Sequence, residues 1–193
     1  MDYNRDLMKH PFRLAMTALA ATLILPFATV ANAQKPAPPG PARPAAKIAH
    51  PIVTMQTTKG TILIKLFPEE APLTCANFVK LINKKFYDGL TFHRVEPGFV
   101  VQGGDPQGDG RGGPGYAIKN EANKLLKHNR GAVAMANSGR DTAGSQFYFV
   151  ITKPAPHLDN GNYTIFGQVI SGQDAAERIA IGDKMIKVTV KNQ

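Results

Sequence analysis

Hydrophobic and polar positions alternate along several short runs of this chain, a pattern typical of half-buried β-strands. The first clear example is IVTMQTTKGTILIKLF, two β-rich runs around Thr58-Lys59-Gly60, which is a hairpin signal. Further runs of this kind are FHRVEPGFVVQ, RGAVAMANS, SQFYFVIT, YTIFGQVI and MIKVTV. The alternation therefore predicts roughly six to eight short strands from position 51 onward.

Two segments have the spacing of amphipathic helices instead. Pro72 suits the first turn of a helix, where a backbone N–H is not needed. The apolar positions that follow fall on one predicted helical face: Leu73, Ala76, Phe78, Val79 and Ile82. A second helix is predicted from Ser171 to Ile181, with a start that resembles a capping box. Many short strands with two helices indicate a mainly β domain, a closed antiparallel barrel or a sandwich.

The first 33 residues have the pattern of a secretory signal peptide. Basic residues precede an apolar run, LAMTALAATLILPFATVANA, which ends in the small-x-small pattern Ala31-Asn32-Ala33. We therefore expect cleavage near Ala33 and a periplasmic or secreted protein without stable membrane insertion. The alternative is an uncleaved membrane anchor, against which Pro26 and the shortness of the strongly apolar stretch argue.

Residues 34–50, QKPAPPGPARPAAKIAH, are rich in Pro and Ala and predict an extended linker before a domain at 51–193. The formal net charge of the chain is +9, but one of these charges lies in residues 1–33 and three lie in the linker, which leaves +5 on the domain. No stripe of Lys and Arg interleaved with aromatic residues appears in the domain. Nucleic acid is therefore not an expected partner.

Familiar cofactor and nucleophile motifs fail on their context. GDGRGG at 108–113 matches a dinucleotide-binding pattern by letter, but no buried strand precedes it and no long helix follows. The aspartates near these glycines lack the spacing of a calcium loop, and the histidines lack metal-ligand spacing. The single cysteine, Cys75, lies on the first helical pattern and is interpreted as a small buried residue rather than a nucleophile. We expect no cofactor and no metal.

Polar residues interrupt the apolar strand patterns at four positions: Arg94, Gln102, Asn137 and Gln146. Each has an ordinary interpretation, since a strand arginine usually points to solvent and a glutamine at a strand end often binds a neighbouring backbone group. Period-two alternation, however, puts Val100 and Gln102 on one face. A concave apolar patch with a few convergent polar groups is the general form of a small ligand site.

Three segments resemble the signatures of the cyclophilin-type peptidyl-prolyl cis-trans isomerases. FHRVEPGFVVQGGDP is similar to the first signature of that family, MANSGRDTAGSQFYFVI to the second and LDNGNYTIFGQV to the third. The predicted hairpin and helices fall in the matching order, so the resemblance extends from Ile52 to the end of the chain. It implies a closed eight-stranded antiparallel β-barrel capped at its ends by two α-helices, with an exposed groove for an Xaa-Pro peptide.

The resemblance also implies roles for particular positions. Arg94 matches the catalytic arginine of the family. The pocket for the proline ring corresponds to Phe99, Val100, Tyr148 and Leu158. The positions that hold the peptide backbone correspond to Gln102, Ala136, Asn137 and Gln146, and the glycine-rich edge of the groove to Gly110.

Four positions depart from the common pattern of the family. Val100 stands where many members have methionine, and Tyr148 where many have phenylalanine. Tyr163 replaces a histidine, and His157 occupies the place of a tryptophan in the best-known members. We expect His157 and Tyr163 to belong to the substrate pocket, with His157 in its wall and not acting as an acid–base catalyst. If the inhibitor cyclosporin depends on that tryptophan, it should bind this protein weakly.

The resulting hypothesis is an exported prolyl isomerase, most similar to bacterial periplasmic cyclophilins, that acts on proline-containing unfolded or newly exported polypeptides. The alternative from another class is a non-catalytic module that binds proline-containing segments. Arg94 argues against that alternative, because binding alone does not need the arginine. A third interpretation, an envelope-associated protein that interacts through its basic tail, rests on charge alone.

Overall fold

The computed structural model describes residues 50–122, 125–151 and 153–191. The predicted signal peptide and residues 34–49 of the predicted linker lie outside these ranges, so both remain predictions. No helix within the described ranges is both long and apolar enough to span a membrane.

Eight antiparallel strands and two α-helices make up the described fold, which confirms the mainly β prediction. The strands are β1 Ile52–Thr57, β2 Gly60–Leu66, β3 Phe92–Glu96, β4 Val100–Gly103, β5 Ala132–Met135, β6 Phe147–Val150, β7 Ile165–Ser171 and β8 Met185–Lys191. The helices are α1 Pro72–Asn83 and α2 Gln173–Glu177, with a short 3-10 helix at Pro156–Leu158. One sheet contains all eight strands in the order β3-β4-β6-β5-β7-β2-β1-β8.

The sheet is open, so the predicted closed barrel is wrong: the strands curl into a half-barrel with β3 and β8 at its edges. The two edges meet at one isolated antiparallel bridge between Thr91 and Lys184. Because the bridge is antiparallel, the residues opposite β3 are those that come before Lys184 in the sequence. They form a turn, in which Asp183 O accepts a hydrogen bond from the Phe92 N–H at 2.8 Å. Strand β8 runs the other way from the bridge and pairs with β1.

Strands β1 and β2 form the predicted hairpin, with Thr57 paired to Gly60 beside the turn. Every second side chain is buried along both strands: Val53, Met55, Thr57, Ile62, Ile64 and Leu66. The Thr57 hydroxyl donates to Gly60 O at 2.7 Å and accepts from the Lys59 N–H at 3.1 Å, which ties the turn to the strand end. Here the alternation of the sequence identifies the buried face directly.

Helix α1 begins at Pro72 as predicted, but its buried face differs from the predicted one. Leu73 is 54% exposed, and Ala76 is exposed as well. The buried residues are Thr74, Cys75, Asn77, Phe78, Leu81 and Ile82. Two of them are polar: Thr74 Oγ1 donates to a glutamate carboxylate at 2.8 Å, and Asn77 Nδ2 donates to a backbone carbonyl at 2.9 Å. Hydrophobicity alone could not identify these two positions.

Helix α2 spans five residues, Gln173–Glu177, and not the predicted Ser171 to Ile181. Gly172 holds the N-cap position with a φ of 77°, and no side chain caps the helix. A Cβ on Gly172 would lie 2.0 Å from Thr61 O, so the close approach of these two backbone segments requires glycine. The capping-box prediction is wrong because Ser171 belongs to β7, where it pairs with Leu63.

The main core is organised around a cluster of aromatic rings. Phe78 of α1 lies with its ring centroid 5.0 Å from that of Tyr87, 5.3 Å from that of Phe147 and 5.0 Å from that of Phe166. All four rings are fully buried. Tilted and edge-to-face contacts of this kind stabilise a core beyond the area they bury. Phe78 is thus the main apolar anchor of α1 on the sheet.

Strands β5 and β6 are buried on both faces, which creates a second apolar cluster on the opposite side of the sheet. In the sequence FYFV of β6, Phe147 and Phe149 join the main core, whereas Tyr148 and Val150 belong to the second cluster. Partly buried residues from neighbouring segments pack against that cluster: Phe99, Leu126, Ala136, Leu158 and Tyr163. Half of the twelve predicted site residues therefore belong to this cluster or pack against it.

The interpretation of Cys75 as a small buried residue is confirmed, since it is 3% exposed and its Sγ lies 3.5 Å from Phe166 O. Burial raises the pKa of this thiol to about 12, so the reactive thiolate is nearly absent around neutral pH. We expect iodoacetamide at about pH 8 to leave the folded protein unmodified and to alkylate it fully in guanidinium chloride. Mass spectrometry of the intact protein checks this, and rapid alkylation of the folded protein would contradict it.

Candidate active site

A cavity of about 160 Å³ lies over the second apolar cluster. Nine of the predicted site residues line it: Arg94, Phe99, Val100, Gln102, Ala136, Asn137, Tyr148, Leu158 and Tyr163. They come from β3, β4 and β6, from the β3–β4 turn, from the 3-10 helix and from the segments that follow β5 and precede β7. The side chain of Arg94 is 45% exposed, which puts the guanidinium at the mouth of the cavity. The fold thus joins positions that are far apart in the sequence around one cavity, with aromatic and aliphatic side chains beside polar ones.

A line of polar side chains crosses the strands beside this cavity. Arg94 and Gln102 are direct neighbours in the β3–β4 ladder, and Arg94 Nη1 donates to Gln102 Oε1 at 2.9 Å. Gln102 Nε2 donates to Gln146 Oε1 at 2.9 Å. Gln146 Nε2 in turn donates to the carbonyl oxygens of Gly110 and Gly112, each at 2.9 Å. Each glutamine accepts on one side and donates on the other, so the line holds the guanidinium in one orientation.

Aromatic side chains form much of the apolar surface. Burial raises the pKa of Tyr148, so its phenol stays protonated at neutral pH. The Tyr163 ring meets the Tyr148 ring edge-on, with centroids 6.1 Å apart. His157 does not line the cavity; its exposed ring packs against Phe99 with centroids 5.2 Å apart. The effect of His157 on the pocket therefore passes through Phe99, and weak cyclosporin binding stays a prediction.

The segment after β5 forms one wall. The Ala136 N–H donates to Gln146 O at 3.0 Å, which fixes this segment against the start of β6. Asn137 Nδ2 donates to Asn162 O at 2.7 Å, and its Oδ1 accepts from the Gly139 N–H at 3.3 Å. Because the Asn137 side chain is engaged in these loop contacts, the backbone at positions 136–137 is a fixed surface of the groove.

A second cavity, of about 530 Å³, adjoins the first. Gln102, Ala136 and Asn137 line both cavities, and the predicted residues Gly110 and Gln146 line the larger one. Several residues of this second cavity were not predicted from the sequence: Arg111, Gly112, Gly113, Pro114, Gly115, Tyr116, Ser138, Thr142, Gly144 and Ser145. The glycine-rich composition of this stretch was a loop signal, but no side chain in it had a pattern that indicated a groove.

The carboxylate of Asp105 organises the glycine-rich edge of the groove. Asp105 is 1% exposed and accepts hydrogen bonds from the backbone N–H groups of Gln107, Asp109 and Gly110 at 2.8, 3.1 and 2.6 Å. Burial by itself raises the pKa of Asp105, but the backbone donors outweigh it and leave the pKa below its ordinary value. The loop therefore depends on an ionised carboxylate.

Asp105→Asn is expected to lower the free energy of unfolding by about 1–3 kcal/mol near pH 7, since an amide offers one acceptor oxygen instead of two. Because the pKa of Asp105 is lowered by folding, its stabilisation is present above about pH 3.9 and is lost as the pH falls through the lower folded-state value. Urea unfolding should show that the difference in free energy of unfolding between wild type and variant is smaller at about pH 3 than near pH 7.

Asp109→Asn is the matched control, because the Asp109 carboxylate makes an exposed contact, accepting from the Arg111 N–H at 2.8 Å. It should change stability little at either pH. If Asp105→Asn lowered the free energy of unfolding by the same amount at both pH values, the role of the ionised carboxylate would be contradicted.

Metal-binding side chains do not gather in the described part of the chain: no set of three or more His, Cys, Asp or Glu residues there could hold an ion. Asp105 and Asp109, the aspartates beside the glycine-rich segment, bind backbone N–H groups instead.

Comparison with known proteins identifies the family. The family model of the cyclophilin-type peptidyl-prolyl cis-trans isomerases matches residues 52–192. Peptidyl-prolyl cis-trans isomerase B of Bacillus subtilis (strain 168) is 55% identical over 131 residues, which cover 67% of this chain and 90% of that protein. A peptidyl-prolyl cis-trans isomerase of Synechococcus elongatus is 49% identical over 138 residues, which cover 70% of this chain and 93% of that protein.

Solved structures agree with the sequence matches. A cyclophilin-type peptidyl-prolyl cis-trans isomerase of Cryptosporidium parvum is 30% identical, with a TM-score of 0.68 over 75% of this chain and 99% of that one. A structure of it in the presence of the dipeptide Ala-Pro has the same TM-score of 0.68, at 31% identity over 74% of this chain and 99% of that one. With its half-barrel, its family match and these relatives, the chain belongs to the cyclophilin-type family and is a peptidyl-prolyl cis-trans isomerase.

Proposed function

We propose that this isomerase rotates Xaa-Pro bonds in exported polypeptides while they fold, with Arg94 as the catalytic residue. One observation carries the proposal: a guanidinium, held by Gln102, stands at the mouth of an apolar cavity of about 160 Å³. Such a site can bury a proline ring and bring a charged donor beside the ring nitrogen. The Ala-Pro dipeptide used with the Cryptosporidium parvum relative supports a proline-containing substrate.

The chemical difficulty is the partial double bond of the peptide. Delocalisation of the nitrogen lone pair into the carbonyl opposes rotation by ~18–20 kcal/mol. An Xaa-Pro bond populates both isomers, but they interconvert in tens to hundreds of seconds. As the bond twists, the lone pair localises on the proline nitrogen and becomes able to accept a hydrogen bond. A catalyst for this rotation therefore needs a donor that meets the nitrogen in the twisted state.

Arg94 has the properties of that donor. Its guanidinium stays charged and planar, and a hydrogen bond to a charged group contributes roughly 1.5–3 kcal/mol. The contact exists only when the lone pair has localised, so it lowers the barrier rather than merely tightening binding. The apolar walls exclude water, which strengthens the interaction of the guanidinium with the nitrogen.

The orientation of Arg94 comes from its neighbours on the same sheet. Nη1 donates to Gln102, and Nη2 pairs with the carboxylate of Glu96. A guanidinium has five N–H donors, so these two contacts fix its plane and leave further donors for the substrate. Preorganisation of this kind avoids the cost of ordering a long side chain during the reaction.

The remaining polar groups are assigned to the peptide backbone on either side of the proline. Ala136 and Asn137 line both cavities, and Gln146 lines the larger one, where the chain that precedes a bound proline would lie. We assign the Asn137 N–H to the residue before proline, which it holds while the other side of the bond turns. The larger cavity then receives the preceding side chains of the substrate.

The rate gain that is needed is small. Raising the rate from ~0.01 to ~10 per second requires about 4 kcal/mol, at ~1.36 kcal/mol for each factor of ten. The Arg94 contact supplies a large part of this, and desolvation and positioning supply the rest. A covalent intermediate is not required for a barrier reduction of this size.

The exported context rests on the sequence of residues 1–33, with its basic start, apolar centre and Ala31-Asn32-Ala33 ending. Slow prolyl isomerisation limits the folding of many chains, and chains that cross a membrane unfolded must fold after export. Cell fractionation followed by N-terminal sequencing tests this part. A protein found in the cytoplasm with its first residues intact would overturn it.

NMR exchange spectroscopy on a short Xaa-Pro peptide tests the catalytic part. The purified protein should raise the cis–trans exchange rate at catalytic concentration. The competing function is a module that binds proline-containing segments without isomerising them. Binding seen as chemical-shift changes, without an increase in exchange rate, would favour that module.

A further inference from the structure

A chain of hydrogen bonds joins Tyr148, which lines the cavity, through His128 to Asp159. Tyr148 Oη lies 2.9 Å from His128 Nε2, and His128 Nδ1 lies 2.7 Å from Asp159 Oδ1. His128 is 2% exposed, and its ring stacks at 15° on the Tyr148 ring with centroids 6.0 Å apart. The imidazole therefore lies between a phenol of the cavity surface and a carboxylate of the loop that follows the 3-10 helix.

The direction of each hydrogen bond follows from the groups involved. The pKa of Asp159 lies below its ordinary value: burial raises it, but the hydrogen bonds and charge of His128 and the charge of Lys127 outweigh burial. The carboxylate is therefore ionised and can only accept, so His128 Nδ1 must donate. A neutral imidazole then has an unprotonated Nε2, which accepts from the Tyr148 hydroxyl. This assignment predicts the Nδ1–H tautomer of His128.

His128 also holds the segment that carries Leu158. Its backbone N–H donates to Asp159 Oδ1 at 2.9 Å, and its carbonyl accepts from the Ala155 N–H at 2.8 Å. The Leu158 N–H donates to Ala155 O at 2.9 Å, so the 3-10 helix is attached at both ends to His128 or its partner. Leu158 and Tyr148 both line the cavity.

We propose that His128 is a positioning residue for the isomerisation: its imidazole joins Tyr148 on β6 to Asp159 beside Leu158 and so sets the width of the pocket for the proline ring. This inference rests on the proposed active site. Phenylalanine at position 148 could not make this link, so the hydroxyl of Tyr148 gives the chain a connection that the common family pattern lacks.

The protonation state of His128 decides how the link works. Burial lowers the pKa of His128, although Asp159 opposes this; His157 and Lys127 add to the lowering. The other titratable groups that face the ring are the phenols of Tyr148 and Tyr163. An imidazolium donates from both nitrogens, so the Tyr148 hydroxyl must turn and accept. Because the folded-state pKa is lowered, this reversal begins only below about pH 6.5, the ordinary value for histidine.

A double-mutant cycle tests the link. We measure kcat/KM on an Xaa-Pro peptide by NMR exchange for the purified wild type, His128→Gln, Tyr148→Phe and the double variant. His128→Gln should lower kcat/KM at least about fivefold in the wild-type background and less than about twofold in the Tyr148→Phe background, a coupling within the range for one hydrogen-bond network. If His128→Gln lowered kcat/KM by the same factor in both backgrounds, the proposal would be overturned.

His50→Gln is the matched control, because its imidazole bonds Leu66 O at 3.1 Å and does not line the cavity. It should leave kcat/KM unchanged. If wild type itself does not catalyse exchange, the proposed function fails and takes this inference with it. If wild type is active and the cycle is additive, the inference alone fails.

The pH profile separates positioning from simple support of the fold. Nitrogen-15 NMR of His128 should show the Nδ1–H tautomer at neutral pH and give its titration midpoint. Wild-type kcat/KM should fall as the pH is lowered, with that same midpoint. The fall should be absent from Tyr148→Phe, because that variant has no hydroxyl whose hydrogen bond to His128 could reverse. This comparison also decides the matter if His128→Gln does not fold. The proposal would be overturned if wild-type kcat/KM did not change across the titration of His128, or if NMR showed the Nε2–H tautomer.

Discussion

Replacement of Arg94 by alanine is expected to lower kcat/KM by a factor of roughly 10 to 150. The range follows from the ~1.5–3 kcal/mol of a hydrogen bond from a charged donor, at ~1.36 kcal/mol for each factor of ten. Most of the loss should appear in kcat, because the guanidinium meets the proline nitrogen only in the twisted state. NMR exchange at several concentrations of an Xaa-Pro peptide, with the enzyme concentration fixed, measures both parameters.

Two variants make the Arg94 result specific. Arg94→Lys keeps the charge but not the planar fork that Gln102 and Glu96 orient, so it should recover only a small part of the activity. Arg178→Ala removes another exposed arginine, paired with Asp174 on α2, and should leave kcat/KM unchanged. Full activity in Arg94→Ala, with an unaltered melting temperature, would show that the arginine is not catalytic.

Replacement of Phe78 by alanine is expected to lower the free energy of unfolding by about 3–5 kcal/mol, which is the range for removing a phenylalanine from a packed core. The ring is fully buried and contacts Tyr87, Phe147 and Phe166 with centroids 5.0 to 5.3 Å away. Its loss leaves a cavity between α1 and the sheet. Urea unfolding followed by circular dichroism measures the change.

Leu73→Ala on the same helix is the control, because Leu73 is 54% exposed and little apolar area is lost. It should cost far less than Phe78→Ala, on the order of 0.5 kcal/mol or less. Comparable losses in the two variants would mean that α1 is anchored by something other than its buried aromatic face.

The strands and their faces were predictable because alternation records burial directly. The β1–β2 hairpin is the clearest case, since five of its six buried residues are apolar letters at every second position: Val53, Met55, Ile62, Ile64 and Leu66. The positions that line the candidate site were predictable for a different reason. Arg94 and Gln102 lie in a long family signature, and the pairing of these two residues across β3 and β4 brings them together.

Other features depend on contacts that the sequence does not encode locally. The buried face of α1 contains Thr74 and Asn77, whose polar groups bind partners 47 and 67 residues away. The start of α2 is set by Gly172, which must approach Thr61 closely, and not by a side-chain cap. The open edge follows from the direction of the strands at the Thr91 bridge, which no residue pattern indicates. His128 was missed for the same reason, because its partner Asp159 lies 31 residues further along the chain.

Strand β6 is buried on both of its faces, and this has a consequence for how the sequences of such proteins can diverge. Side chains at positions 147 and 149 belong to the main core, while Tyr148 belongs to the second cluster and lines the cavity of the candidate site. The four departures from the common family pattern respect this division: Val100, Tyr148 and Tyr163 belong to the pocket-side cluster, and His157 packs on Phe99. Selection for new substrates can therefore act on the residues of one face of β6, while selection for folding preserves the residues of the other face. Ligand preference can then change without a matching loss of stability.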